Sequence, residues 1–188
     1  MEHVDEIIEL YEKYGSHDYI GENQTQVEHM TRAAMLAEDH GENIDVILAA
    51  FLHDIGHLIE INCPESQMDN LGVINHENIG RDFLIKKGFN DCITNLVGNH
   101  VKAKRYLVAK NPEYLKYLSE ASQSTLKFQK GFMNQQEIDT FENDPFFEKS
   151  IKLRFYDDQS KLVTLPIKSL DYYKNLMEKY FCQRLTPY

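Results

Sequence analysis

The run Val46-Ile-Leu-Ala-Ala-Phe-Leu52, followed with no polar buffer by His53-Asp54-Ile-Gly-His57-Leu58, constrains this chain more than any other stretch. Its seven consecutive apolar residues are too many for a solvent-facing helix and too few for a membrane span, so they belong in a soluble core. We read Val46 to Leu58 as a buried helix that ends in chemistry. Neighbouring helical residues fan about 100° apart, so His53 and Asp54 can grip one ion while the second carboxylate oxygen stays free for another. His57 falls one turn on, on the His53 side, and Gly56 leaves room for a close approach to the backbone. An isolated His-Asp pair is more often a hydrogen-bonded core histidine beside a helix-end charge. The rest of the chain has to decide.

Apolar residues at helical spacing recur along most of it. Val4, Ile7, Ile8, Tyr11 and Tyr14 share a face that stops at Gly15, and a loop covers Ser16 to Glu22. A second helix, carrying His29, begins between Asn23 and Gln26 and runs to Gly41; the buried one starts near Asn43. The pattern fails from Asn62 to Gly72, a loop that has to wrap around something. Helices follow from about Asn75 to Gly88, with His76 in the first turn, and from Asp91, with His100 near the end. Asn111-Pro112 is an N-cap before a first-turn proline, and Asn134 with Glu137 forms a capping-box pair. Phe146 to Asp157 is a shorter apolar and aromatic segment, and Ser169 to Tyr180 a last amphipathic helix. Lys161 to Ile167 reads as a short strand or extended turn whose one plausible partner is Leu153 to Tyr156. The expected fold is all-α, a single domain over residues 1–188 with at most one small β-hairpin.

Composition narrows the function classes. A chain of 188 residues, 42% hydrophobic, buries one substantial core. A net charge of −10 with no long basic run argues against nucleic-acid or membrane-surface partners. Cys63, Cys92 and Cys182 are odd in number and never in a Cys-x-x-Cys pair, which fits reduced thiols and a cytoplasmic home. The start, Met-Glu-His-Val-Asp, lacks the basic and apolar regions of a signal peptide.

His29, His53-Asp54, His76, His100 and Asp157 fall at helix ends or on core-facing sides, supplying four imidazoles and two carboxylates. Any one of these histidines taken singly is more often structural. As an ordered set on separate helices they favour metal, and a shared Asp54 flanked by two ligand sets suits a pair of first-row ions such as iron, manganese or zinc.

The order His, His-Asp, Asp resembles the HD-domain superfamily of helical metal-dependent phosphohydrolases, and the added His76 and His100 resemble its dinuclear subset. Asp-Tyr-Ile-Gly-Glu at 18–22, His-Val-Lys-Ala-Lys-Arg-Tyr-Leu at 100–107, Leu-Ser-Glu-Ala-Ser at 118–122 and the Arg154 to Asp157 stretch are similar to PhnZ-type mixed-valence di-iron oxygenases. Those enzymes cleave the carbon–phosphorus bond of 1-hydroxy-2-aminoethylphosphonate to glycine and phosphate; myo-inositol oxygenase is a more distant relative with the same type of site. The likeness runs from about residue 17 to residue 180.

The resemblance implies an HD-domain bundle holding two Fe ions, Fe(II) and Fe(III). One would be held by His29, His53, Asp54 and Asp157, the other by Asp54, His76 and His100. Tyr19 would fill the second iron's open position until substrate displaces it, and Glu22 would then meet the substrate's amino group. His57, Lys104, Ser122 and Arg154 would surround the phosphonate oxygens, where a dianion leaving water needs cations and donors. Lys102 departs from the small residue expected there and alters the rim charge. The implied partners are the phosphonate, O2 and an upstream 2-oxoglutarate-dependent phosphonate hydroxylase. An ordinary HD-domain phosphohydrolase is the alternative, differing in reaction class rather than scaffold. Lower stand a zincin-like site, since His53-Asp-Ile-Gly-His57 has the i, i+4 spacing but Asp replaces the catalytic Glu, and a metal-free binding module.

Overall fold

The structure, a computed structural model, describes residues 2–185 apart from residues 20, 69 and 70. Ile20, part of the 18–22 motif, therefore lies outside the described residues, as do positions 69 and 70 of the 62–72 loop and the last three residues. Among the described residues ten α-helices run in the order α1 (Glu2–Tyr14), α2 (Gln26–Asp39), α3 (Ile44–Leu52), α4 (Ile55–Ile59), α5 (His76–Lys86), α6 (Asp91–Lys110), α7 (Glu120–Thr125), α8 (Gln135–Glu142), α9 (Phe147–Ser160) and α10 (Leu170–Leu185). Short 3-10 turns occupy Pro64–Ser66 and Pro112–Tyr117.

The caps explain the starts. Thr25 and Glu28 form a capping box at α2, Asn134 and Glu137 another at α8, and Asn43 and Asn90 accept first-turn N–H groups at α3 and α6. The apolar α3 is the hub, packed against α2, α6, α9 and α10. Phe51 shows how it is held. Its ring stacks on Tyr11 of α1 at 4.5 Å and on Tyr173 of α10 at 4.2 Å, and its carbonyl accepts from the Tyr11 hydroxyl. Emptying that position would cost about 3–5 kcal/mol.

The structure revises several of these expectations. The helix from Val46 does not run unbroken to Leu58: α3 ends at Leu52, and His53 and Asp54 form the junction with α4, Asp54 at φ −103° and ψ 12°. Helix α6 continues to Lys110, which puts His100 in its middle. The segment from Phe146 is a full helix to Ser160, and the last helix runs past Tyr180 to Leu185. No hairpin forms, because Leu153 to Tyr156 already spends its backbone hydrogen bonds inside α9. Among the described residues β pairing is confined to two isolated bridges, Asp18 with Thr25 and Gln67 with Val73. No described helix is long and apolar enough to cross a membrane.

Candidate dinuclear metal centre

The junction between α3 and α4 sets Asp54 between four histidines. One carboxylate oxygen, Oδ2, lies 3.4 Å from His29 Nε2 on α2 and 3.3 Å from His53 Nε2. The other, Oδ1, lies 3.3 Å from both His76 Nε2 at the start of α5 and His100 Nε2 on α6. Asp157 of α9 completes the first group, 3.4 Å from His29 Nε2 and 3.9 Å from His53 Nε2. All six side chains are buried.

Hydrogen bonds fix which ring nitrogen faces inward. His53, His76 and His100 each put Nδ1 against the carbonyl three residues back, Ala50 at 2.8 Å, Val73 at 3.0 Å and Val97 at 2.7 Å. A carbonyl only accepts, so Nδ1 carries the proton and Nε2 turns a lone pair to Asp54. His29 Nδ1 lies 2.8 Å from the Ser160 hydroxyl, which donates its own proton to the Asp157 carbonyl and so accepts from His29. The result is two pairs of facing nitrogens, His29 with His53 at 3.1 Å and His76 with His100 at 3.0 Å. Neutral rings so oriented repel, unless a cation sits between them.

The donor set fits metal. Donors bonded at about 2.1 Å to one ion lie about 3.0–3.4 Å apart at right or tetrahedral angles, the spacing found around each Asp54 oxygen. Asp157 Oδ1 touches Lys161 Nζ at 2.9 Å yet forms no well-oriented hydrogen bond. Burial alone would raise the Asp54 carboxyl; with no ion between the groups, protons shared with the facing imidazoles, His53 foremost, hold it well below the usual carboxylate range, a place that a bound cation would take over. Burial likewise opposes ionisation of Asp157, and Arg154 and Lys161 override it.

His57 stands apart. It is near enough to Asp54 and His76 to complete a triad, but its Nδ1 accepts the Val73 N–H at 2.9 Å. The neutral ring therefore offers an Nε2–H donor rather than a lone pair. Burial, with His76 beside it, pushes the group well below the usual histidine range and keeps it neutral. It stacks on His76 at 3.9 Å rather than lying with His53, because the helix breaks before it. Two glycines allow this packing: a Cβ on Gly56 would meet the His76 carbonyl oxygen at 2.0 Å, and one on Gly72, whose φ is +91°, would meet the His57 ring at 2.6 Å. Gly72 and Val73, at the end of the loop, thus lie against His57.

A cleft of about 50 Å³ opens beside the two groups. Tyr19 lines it, its ring stacked on His29 at 3.9 Å, on a loop held by Tyr19 N–H to the Gln24 carbonyl at 2.8 Å. Burial and the nearby Asp54 and Asp157 raise the Tyr19 phenol well above its ordinary value. Glu22 lines the same cleft, with a buried Oε1 that has no hydrogen-bond partner among the described residues. On the cationic side stand Lys104, one turn beyond His100, and Arg154, one turn before Asp157. Lys104 Nζ donates to the Ser122 carbonyl at 3.2 Å and to Thr125 Oγ1 at 2.8 Å. Burial, then Arg154 and Lys161, pushes its ammonium down to about 7. Arg154 pairs with Asp157 at 2.5 Å and with Asp158, leaving a buried Nε without a hydrogen-bond partner among the described residues.

Sequence reasoning overlooked Lys161. Its Nζ bonds Ser122 Oγ at 3.0 Å and sits 5.8 Å from the Tyr19 ring centre. The signal was its place four residues after Asp157, legible once that aspartate is known to lie on a helix. Gln26, Thr125 and Gln129 of the lining were also overlooked.

Residues 27–127 match the HD domain family model. The chain is 39% identical over 152 residues, 81% of its length and 76% of the relative, to the [1-hydroxy-2-(trimethylamino)ethyl]phosphonate dioxygenase (glycine-betaine-forming) of Leisingera caerulea. It is 36% identical over 177 residues, 94% of its length and 87% of the relative, to the hydroxymethylphosphonate dioxygenase of Gimesia maris. It is also 63% identical over 183 residues, 97% of its length and 84% of the relative, to the uncharacterized protein L432 of Acanthamoeba polyphaga mimivirus. With the family model covering more than half of the chain, and two relatives matched along most of their length, the chain belongs to the HD-domain family, in the branch that includes these two phosphonate dioxygenases.

Proposed function

We propose that this protein is a di-iron oxygenase that cleaves the carbon–phosphorus bond of 1-hydroxy-2-aminoethylphosphonate, or a close N-substituted analogue, with O2. The observation that carries the reading is the junction of two sites in one cleft. A two-ion seat joined by Asp54 directly adjoins a wall of Lys104, Arg154, Lys161, Ser122 and the His57 Nε2–H. A plain anion site needs no such ion pair, and a plain metal site needs no such wall. The relatives' names support the choice of phosphonate and dioxygen.

His29, His53, Asp54 and Asp157 would hold one iron, and Asp54, His76 and His100 the other. As an Fe(II)/Fe(III) pair they would supply the one-electron chemistry with dioxygen that these side chains cannot. The chain's own residues do the rest. Lys104, Arg154 and Lys161 compensate the phosphonate charge in a site that excludes water, His57 donates one hydrogen bond without taking a proton, and Ser122 orients an oxygen. A cleft of about 50 Å³ admits the substrate once Tyr19 turns out of it, which makes Tyr19 a displaceable ligand and cover. Glu22 faces the substrate's amino group. The balance is substrate plus O2 to glycine plus phosphate: the carbinol carbon loses its bond to phosphorus and is oxidised to a carboxylate, with dioxygen as oxidant. A 2-oxoglutarate-dependent phosphonate hydroxylase would supply the 1-hydroxyl.

The test is to give the iron-loaded protein racemic 1-hydroxy-2-aminoethylphosphonate and measure glycine and phosphate in air and under argon. Products formed in air alone support the reading. Equal phosphate release under argon would instead make the protein a phosphohydrolase-like HD enzyme.

A further inference from the structure

Arg154 is buried, 2% exposed, and both ends of its guanidinium fork are taken. Nη1 pairs with Asp157 Oδ2 at 2.5 Å and Nη2 with Asp158 Oδ1, carboxylates three and four residues further along α9. The remaining nitrogen, Nε, is buried with no hydrogen-bond partner among the described residues, on a side chain that lines the metal cleft. A guanidinium is always charged and its donors lie in one plane, so whatever pins the fork also aims Nε.

The two carboxylates are not equivalent. Asp157 faces His29 and His53 as a candidate ligand, so an ion bound there draws on the same charge. Asp158 stands outside that set, and its second oxygen, Oδ2, accepts from the Tyr114 hydroxyl. Tyr114 sits on the 3-10 turn Pro112–Tyr117, which Asn111 caps and whose Tyr114 and Leu115 rest on Val108, Leu118 and Leu126. Burial raises the Tyr114 phenol above its ordinary value, so it stays protonated and donates. Neither Tyr114 nor Asp158 lines the metal cleft; both line a separate cavity of about 360 Å³. Lys161 Nζ lies 4.0 Å from Asp158 Oδ1, too far for a hydrogen bond, so the contacts from this pair into the cleft run through Arg154.

We infer that Asp158 and Tyr114 are positioning residues: they clamp Arg154 so that its free donor meets the anion in the cleft, although the Asp158 charge by itself repels that anion. The inference rests on the reading of Arg154 as an anion ligand given above.

The sign of one substitution separates positioning from charge. Asp158→Asn keeps the shape of the side chain and removes a negative charge. Through charge alone it should tighten anion binding; through loss of the clamp it should weaken it. Calorimetry of sulfate with the metal-loaded protein, at a metal content matched by elemental analysis, should show binding about fivefold weaker in Asp158→Asn, the difference between a charge-assisted and a neutral hydrogen bond. Tyr114→Phe, which changes no charge, should weaken it by about two- to threefold. In the Arg154→Met background Asp158→Asn should instead leave the affinity unchanged or tighten it, because its charge alone still acts. Equal or tighter sulfate binding in the single Asp158→Asn variant would overturn the inference. The same weakening in both backgrounds would also overturn it, by placing the effect in the fold rather than in Arg154. Sulfate binding untouched by Arg154→Met would refute the anion wall and the inference with it, whereas weakening by Arg154→Met without any by Asp158→Asn would leave the wall standing and remove the clamp.

Discussion

Asp54→Asn removes one charge and changes no volume, and it should empty both metal positions at once. Each Asp54 oxygen faces its own pair of imidazoles, Oδ2 toward His29 and His53, Oδ1 toward His76 and His100, all at 3.3–3.4 Å. An oxygen carrying about half a unit charge against a dication interacts like two unit charges, about 4 kcal/mol at 4 Å and an effective dielectric of 20. The ion would lie nearer than that, so this is a floor. At about 1.4 kcal/mol per decade it weakens each ion's binding by about a thousandfold or more. His100→Gln, by contrast, removes a neutral nitrogen from one group only. Elemental analysis of anaerobically purified protein should give two equivalents for wild type, about one for His100→Gln and close to none for Asp54→Asn, with circular dichroism confirming that the helices persist. Two equivalents retained in Asp54→Asn would refute the bridging role. Loss of both ions in His100→Gln would show that the two positions are not separable as described.

Tyr19→Phe should abolish a visible charge-transfer band in the ferric protein that substrate also bleaches, because the phenol is held well above its ordinary pKa and ionises here only against a metal; coinciding wild-type and variant spectra would make Tyr19 a packing residue. Affinity for sulfate, whose charge is constant near neutrality, should be highest below pH 7 and fall above it, by up to about tenfold per unit. Lys104 titrates at about 7 when free, and the anion binds its protonated form; Lys104→Met should flatten that limb, and an equally steep limb in the variant would reject the assignment. Gly56→Ala should destabilise the fold by about 2 kcal/mol or more, read by denaturant unfolding, because its Cβ would meet the His76 carbonyl oxygen at 2.0 Å. A change within about 0.5 kcal/mol would mean that α4 and α5 slide apart freely.

The helices were legible wherever spacing and caps agreed. Val4, Ile7, Ile8 and Tyr11 are buried on α1 as their spacing requires, and Asn134 with Glu137 caps α8. The six candidate ligands were legible as a set because a histidine or aspartate recurred on each of several core-facing helices. The break at His53-Asp54 was not. No proline or glycine separates Leu52 from Asp54, and the kink comes from tertiary packing of α4 on α5. His57 was consequently placed beside His53, when the kink and the Gly72 turn stack it on His76. Lys161 to Ile167 was open between a short strand and an extended turn; no strand forms there, since the partner it needed is committed to α9, and the segment is a turn followed by irregular backbone. Lys161 was hidden while that choice stood open, since only as the fourth residue past a helical Asp157 does it reach the cleft. Gln26 and Gln129, polar residues of the cleft lining, carried no sequence signal.

Oxygen counted against phosphate tests the central claim most directly. With iron-loaded protein and racemic 1-hydroxy-2-aminoethylphosphonate, an oxygen electrode paired with a phosphate assay should show one O2 consumed for each phosphate released, and no phosphate once oxygen is exhausted. Phosphate that continues to accumulate after the electrode reads zero would contradict the account.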